Sequence, residues 1–427
     1  MFKAIIRRRL EGYVKRYFAR HPEVKLVVVT GSVGKTSTKM AIGTVLSEKL
    51  RVRLHEGNYN SELSAPVAML GVAYPDNIKS LGAWRAVYKA MRQRIKEPTD
   101  VDVIVQELGT DRVGQIARFG KYIKPDIAVV TAVSAEHMEF FGTLDVVARE
   151  ELSVVNYSAS ALINRDDIDG EYANLIKNPN INTYGTSGMA EYRFETADVA
   201  ANDGFSGTFM APEYEDGVEA TLQLAGEHSI RAAVAAGAVG FKLGLSGDEI
   251  ARGLAKIRAV PGRMNVLRGL KGATIIDDTY NSSPLAATSA LRTLYQYAAP
   301  QRIAVFGSMN ELGAETEAEH KALGELCTPS ELAHVVIVGE TAERFLAPAA
   351  RANGCDVVCF RSPLEAGAFV NKVMEPGAVV LFKGSQGGIF LEEAVKIVLH
   401  STDDIDQLVR QSPEWMAKKQ AFFDSLS

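Results

Sequence analysis

The segment "KLVVVTGSVGKTSTKM" constrains this chain more than any other. Leu26, Val27, Val28 and Val29 run into Gly31-Ser32-Val33-Gly34-Lys35-Thr36, and a helical pattern follows. A buried strand, a glycine turn carrying Gly-Lys-Thr and a helix, in that order, make a phosphate-binding loop. The glycines let backbone N–H groups approach phosphate oxygens, and the helix N-terminus adds partial positive charge. In such a loop Lys35 bridges the outer phosphates and Thr36 offers its hydroxyl to Mg2+. Gly31, Ser32, Val33, Gly34, Lys35, Thr36 and Ser37 are therefore expected to hold a nucleotide. Val29 stands where the strict eight-residue pattern wants glycine.

The rest of the chain alternates apolar, β-rich runs with helical patterns. "VDVIVQELG", "DIAVVTAV" and "SALINRDD" read as further buried parallel strands. From 186 to 225 the texture changes to alternation with glycines, which reads as an antiparallel excursion. Two alanine-rich helices follow, then a break at "AVPGRMNV". After it "ATIIDDTYN", "RIAVFGSMN", "HVVIVGE", "DVVCF" and "AVVLFKGS" restart the alternation. The expected organisation is α/β throughout: an N-terminal helix over 1–24, a central nucleotide-binding domain over 25–260 with a mostly parallel sheet, and a second, Rossmann-like domain over 261–427. The tail "DIDQLVRQSPEWMAKKQAFFDSL" predicts a closing helix.

Bulk properties exclude some classes. The 427 residues carry a net charge of −5, so no global field draws nucleic acid. Three cysteines, Cys327, Cys355 and Cys359, are too few for a disulfide framework and read as buried small hydrophobes, which suits a cytoplasmic protein. Phe2, Ile6, Leu10, Tyr13, Val14, Tyr17 and Phe18 recur at helical spacing among Arg7, Arg8, Arg9, Lys15 and Arg16. The preferred reading is a helix packed on its own domain. The alternative is peripheral contact with an anionic membrane or a partner protein.

Further segments fall in a recognisable order: "EGNYNSELSAPVAML", "VIVQELGTDRVGQIARF", "KPDIAVVTAVSAEHMEFFGT", "LINRDD", "PGRMNV", "IIDDTYNSSP", "FGSMNELG" and "LFKGSQGG". With "TGSVGKTSTK" they resemble the Mur ligase family, ATP-dependent amide ligases of peptidoglycan precursor synthesis, over residues 25 to 395. The resemblance implies a P-loop-type ATPase domain and a shorter loop form that needs no glycine at Val29. It implies ATP and Mg2+ as cofactors, with Lys35, Glu107, His137 and Arg263 at the reacting phosphate. Thr36, Glu107 and His137 would ligate Mg2+. Asn164, Asp166, Arg263 and Asp278 would contact the nucleotide. Asn58, Asn60, Tyr280, Asn281, Ser283, Lys383, Ser385 and Gln386 would face the substrates. Glu151 stands where the family carries a carbamoylated lysine, and is expected to supply a carboxylate to metal directly, or else to lie on a solvated acidic helix face. Ser229, Ser283 and Gln386 depart from the residues usual in the family.

The implied reaction joins a small-molecule carboxylate to an amine through an acyl phosphate. The expected substrates are a muramoyl-peptide carboxylate and D-alanyl-D-alanine or a similar amine. In the family a UDP-gripping domain normally precedes the loop, whereas here the loop follows 26 residues. Two other readings therefore stand beside it: an amide ligase for a different carboxylate, as in folylpolyglutamate synthetase, and a non-catalytic nucleotide-binding scaffold.

Overall fold

Runs of branched apolar residues form strands that are covered on both faces. The computed structural model describes residues 2–200 and 204–426, so Ala201, Asn202 and Asp203 of the expected antiparallel stretch lie outside it. The first sheet contains β1 (Lys25–Thr30), β2 (Val52–Arg53), β3 (Val103–Glu107), β4 (Ile127–Val130), β5 (Ser160–Asn164), β6 (Ile181–Gly185), β7 (Tyr192–Ala200), β8 (Gly204–Ala211) and β9 (Tyr214–Leu222). Their order is β2-β3-β1-β4-β5-β6-β7-β8-β9. Strands β1 to β7 run parallel. The excursion begins later than the composition suggests: β7 still runs parallel to β6, and only β8 and β9 pair antiparallel.

From β1 the chain moves to β2 and β3 on one side, then crosses to β4 on the other. That reversal opens a crevice beyond the carboxyl ends of β1, β3 and β4, where open α/β sheets bind ligands. Registers Val29↔Glu107 and Thr30↔Val130 put the phosphate loop, Glu107 and the segment after β4 at one level.

The second sheet holds β10 (Asn265–Arg268), β11 (Thr274–Asp278), β12 (Arg302–Gly307), β13 (His334–Val338), β14 (Val357–Phe360) and β15 (Val379–Lys383). Its order is β10-β11-β15-β12-β13-β14, parallel except at β10. Asp278 and Lys383 are register partners at its carboxyl edge. Each sheet has a separate apolar core on each face. Cys327 and Cys355 are buried, Cys359 is half-buried, and all three are free thiols.

The N-terminal helix, Phe2–Arg20, packs on its own chain. Ile6, Leu10, Tyr13, Val14 and Tyr17 are buried in the core that also holds Leu63, Trp84 and Met91. Phe2 remains exposed and Phe18 half-buried, so the buried stripe is narrower than the apolar pattern. Arg7 donates to Glu62 at 2.8 Å, and Tyr13 lies 5.8 Å from Tyr88 of the helix Leu81–Lys96. Leu10→Ala should therefore cost about 2–5 kcal/mol through an unfilled cavity, lowering the urea midpoint of the first unfolding transition. An unchanged midpoint would show that the helix contributes little to the core.

Candidate active site

The carboxyl edges of the two sheets face each other across a cleft of about 330 Å3. One wall starts at the phosphate loop. Gly31 has φ 127°, and a Cβ there would collide with the Thr131 side chain and with the backbone at Thr131 and Ala132. Thr131 in turn donates its hydroxyl to Val33 O at 2.6 Å, and Ser134 N donates to the Ser32 hydroxyl at 3.0 Å. The segment after β4 thus pins the loop. Lys35 folds back over it, donating to Gly31 O at 2.5 Å, Ser32 O at 3.1 Å and Glu136 Oε2 at 3.2 Å. Burial alone would pull this ammonium down. The Glu136, Glu151 and Glu107 charges outweigh it and raise its pKa above the ordinary lysine value, so Lys35 stays cationic.

Glu107, at the end of β3, is the buried centre of this wall. Its Oε2 accepts from the Thr36 hydroxyl at 2.9 Å and lies 3.5 Å from Lys39 Nζ; its Oε1 accepts from Asn60 Nδ2 at 2.9 Å. Burial disfavours its charge, but Lys39, Lys35 and Arg263 hold its pKa below the usual carboxylate value. Lys39 carries no role in the sequence reading, although it follows Lys35 by one helical turn, a spacing that puts both on one face. It also donates to His55 O at 2.6 Å and Gly57 O at 3.3 Å, tying the Asn58–Asn60 segment to the loop.

Thr36 and Glu107 are hard oxygen donors side by side, which fits a divalent ion completed by nucleotide phosphates and water. His137 makes its contacts away from that pair. It caps a short helix in the left-handed region, φ 53°. Its Nδ1 lies 2.5 Å from Glu311 Oε2 at an angle outside hydrogen-bond geometry, and its Nε2 is 3.8 Å from Asp111 and 3.9 Å from Glu136. Among the described residues no three His, Cys, Asp or Glu side chains come together at metal-binding spacing. His137 lines the cleft within an acidic surround that the sequence reading missed, because Glu311 comes from the second sheet's side.

At the β5 end Asn164 lines the cleft, donating to Thr131 O at 2.6 Å and Asp167 Oδ2 at 2.8 Å. Asp167, not Asp166, faces the cleft. Asp166 is turned to the Thr186 and Ser187 amides and to Arg231 Nε at 3.0 Å, which makes it an anchor for the next strand's turn. Arg231 bonds both oxygens of Asp167, at 3.0 and 2.8 Å. Its place three residues after His228, on one helix face, was the available signal. His228 also lines the cleft. Burial lowers its pKa to about 4, so it is neutral at pH 7.

The second wall reaches across. Arg263 Nη2 donates to the Thr36 hydroxyl at 3.1 Å, and its guanidinium lies 4.1 Å over the Tyr280 ring. The Tyr280 hydroxyl meets Asn58 Nδ2. Asp278 pairs with Lys383 at 2.9 Å, and Lys383 also donates to Asn281 O at 2.5 Å. Asn281, Ser283 and Gln386 line the cleft. Ser385 does not: it is buried, with its hydroxyl bonded to Asn310 N at 3.0 Å and Ser282 O at 3.3 Å.

Glu151 does not line the cleft either, and it is no solvated helix charge. It is buried behind the phosphate loop, where Oε2 accepts from Gly31 N at 2.9 Å and meets the Thr30 hydroxyl. Both contacts point at the loop's backbone side, so Glu151 is placed to hold the loop. Burial raises its pKa to about 7. Between roughly pH 4.3 and that value the folded chain keeps a proton that the unfolded chain has released, so this group's contribution to stability falls as pH rises through the window. Glu151→Gln removes that slope. From pH 5 to 8 the wild type should lose thermal midpoint relative to the variant; parallel profiles would mean the carboxylate is ionised throughout.

Comparison with known proteins follows the same layout. The Mur ligase middle domain matches residues 29–240, and the Mur ligase glutamate ligase domain matches residues 262–386. The UDP-N-acetylmuramoyl-tripeptide--D-alanyl-D-alanine ligase of Bacillus subtilis is 27% identical over 388 residues, covering 88% of this chain and 76% of the relative. A crystal structure of MurF from Acinetobacter baumannii superposes with a TM-score of 0.73 at 24% identity, covering 88% of this chain and 77% of the other. MurF from Thermotoga maritima in complex with ADP gives a TM-score of 0.72 at 24% identity, covering 91% and 83%. Loop, cleft and both sheets agree with these matches: the chain belongs to the Mur ligase family.

Proposed function

We propose that this chain is an ATP-dependent amide ligase that joins D-alanyl-D-alanine to the terminal carboxylate of a muramoyl tripeptide, releasing ADP and phosphate. Mur ligases use ATP and Mg2+ and form amide bonds, and the relatives matched over most of the chain carry the D-alanyl-D-alanine ligase name. The observation that carries the reading is Arg263 reaching Thr36 at 3.1 Å across the cleft. It puts a guanidinium from the segment leading into the second sheet against the phosphate loop.

The chemistry divides between the walls. The substrate carboxylate attacks the γ-phosphorus, the bond to the β-phosphate oxygen breaks, and ADP leaves. The amine then attacks the acyl carbon, the single bond from that carbon to the phosphate oxygen breaks, phosphate leaves with the bonding pair, and the amine's proton passes to phosphate or solvent. Lys35 and Arg263 spread the charge that builds on the transferring phosphoryl group. Thr36 and Glu107 would hold Mg2+, which would supply further neutralisation of the phosphates. Lys35 must first exchange its Glu136 contact for phosphate oxygen. Asn58, Asn60, Tyr280 and Asn281 line the cleft and suit the acceptor and the amine. Asp278 and Lys383, paired at the β11 and β15 ends, suit the nucleotide's polar groups or the incoming dipeptide.

Retention of a cationic Lys35 beside Glu107 favours catalysis over a nucleotide-binding scaffold. ADP release with UDP-muramoyl tripeptide and D-alanyl-D-alanine, run beside a folate and glutamate pair, separates the readings. The first pair should turn over, and Lys35→Ala should cut its rate at least about 100-fold. Turnover with the folate pair alone would replace the muramoyl substrate. ATP binding without turnover of either pair would leave a scaffold.

A peripheral contact belongs to the same proposal. Phe2 and Ile5 are exposed, and Lys3, Arg8, Arg9, Lys15 and Arg16 cover the outer face of their helix. Ile78 and Leu81, at the start of the neighbouring helix, are exposed too. Such a face suits an anionic lipid surface. The protein should sediment with vesicles containing phosphatidylglycerol and not with phosphatidylcholine alone; equal recovery in both supernatants would leave a partner protein or solvent as its occupant.

A further inference from the structure

The most completely bonded buried cation near the cleft comes from the tail. Arg410 lies beyond the residues that the family domains match, between a turn at Thr402–Gln407 and the helix Pro413–Leu426. Its backbone is left-handed, φ 58°, a region that non-glycine residues enter only when their surroundings hold them there. The side chain is buried. Its Nε donates to Glu392 Oε1 at 2.8 Å and its Nη2 to Glu392 Oε2 at 2.7 Å, a two-pronged grip on one carboxylate. The remaining donors go to the chain beside the cleft: Nη1 to Tyr280 O at 3.0 Å and Nη2 to Thr279 O at 2.6 Å.

Glu392 is itself fully buried, and Lys419 of the last helix adds a contact to it at 2.9 Å and to Glu393 at 2.6 Å. Charges taken out of water this far persist only when each is fully paired. Here the pairing is completed by two carbonyls of the turn that carries Tyr280. That turn is fixed on its other side, where Tyr280 N donates to Gly262 O at 2.9 Å and a Cβ at Gly262 would come within 2.8 Å of Val409. Tyr280 then stacks under Arg263, and Arg263 bonds Thr36. A continuous set of contacts runs from Glu392 through Arg410 and Tyr280 to the phosphate loop.

We propose that Arg410 is a positioning residue: held by Glu392, it fixes the Thr279–Tyr280 carbonyls so that Tyr280 presents Arg263 to the phosphate loop. The kinetic part of this proposal rests on the ligase reading above. A lysine at 410 keeps the charge but cannot grip Glu392 with two nitrogens and reach both carbonyls. A misplaced Arg263 costs rate more than ground-state ATP binding, because the charge it meets develops during transfer.

The test compares R410K with K419M in the full chain. K419M removes the other cation on Glu392 without touching the turn. Both are checked for fold by circular dichroism and thermal midpoint. R410K should lower kcat for ADP release at least about tenfold, with KM for ATP changed less than about threefold, while K419M keeps kcat. In hydrogen exchange without substrates, the Tyr280 amide should exchange faster in R410K than in wild type and stay protected in K419M. Wild-type kcat in folded R410K, or equal losses of kcat and midpoint in both variants, would overturn the proposal. If wild type releases no ADP with any pair, the ligase reading fails and the exchange arm alone decides: unchanged protection at Tyr280 sinks the positioning role. Should R410K not fold, E392Q replaces it, loosening the grip while keeping Arg410; a lower kcat with unchanged KM supports the proposal and an unchanged kcat ends it.

Discussion

One buried carboxylate organises the catalytic end of this molecule. Glu107 sits at the end of β3 with Thr36, Asn60 and Lys39 on its oxygens, and its charge is sustained by Lys39, Lys35 and Arg263. A buried carboxylate without such partners would take up a proton. With them it stays ionised, and each partner is held in return. Lys39 brings the carbonyls of His55 and Gly57 toward the loop, which places Asn58 and Asn60. Arg263 brings the second sheet's edge over Thr36. The two walls of the cleft are therefore organised around one point of negative charge.

Much of this was legible in the sequence because it depends on local pattern. The β1 loop, the strand ends at Glu107 and Asp278, and the alternation that builds two sheets are all read from runs of a few residues. The turn residues Asn281 and Ser283 fall where their motif put them, along the cleft. What was not legible depends on direction and on partners far along the chain. Asp166 and Asp167 are adjacent in "NRDD", and no periodicity at a strand end says which one turns to the cleft; Arg231, 64 residues from Asp167, pairs with both. Glu151 stands where the family carries a metal-binding lysine, yet its side chain accepts from the Gly31 amide and the Thr30 hydroxyl at the rear of the loop. Ser385 sits in a motif that faces the cleft and still points inward, to Ser282 and Asn310.

The N-terminal helix illustrates the same division. Its apolar spacing predicts burial on its own domain, and five of those residues are buried there. The spacing alone does not say that Arg7 would reach Glu62, which itself lines the cleft. Through that pair the first helix borders the segment that holds Asn58 and Asn60, so a helix that looks peripheral in sequence abuts the wall of the cleft.

Gly31 carries a consequence for how this loop can change over time. A side chain there needs the space that Thr131 occupies, and its backbone angle already disfavours anything but glycine. Trimming Thr131 would remove the hydroxyl that secures Val33 and still leave the Thr131 and Ala132 amides in the way. Neither position offers a neutral first step toward the other, so the pair is locked against drift by single substitutions. An engineer seeking a stiffer or wider loop would have to redesign both strands' ends together.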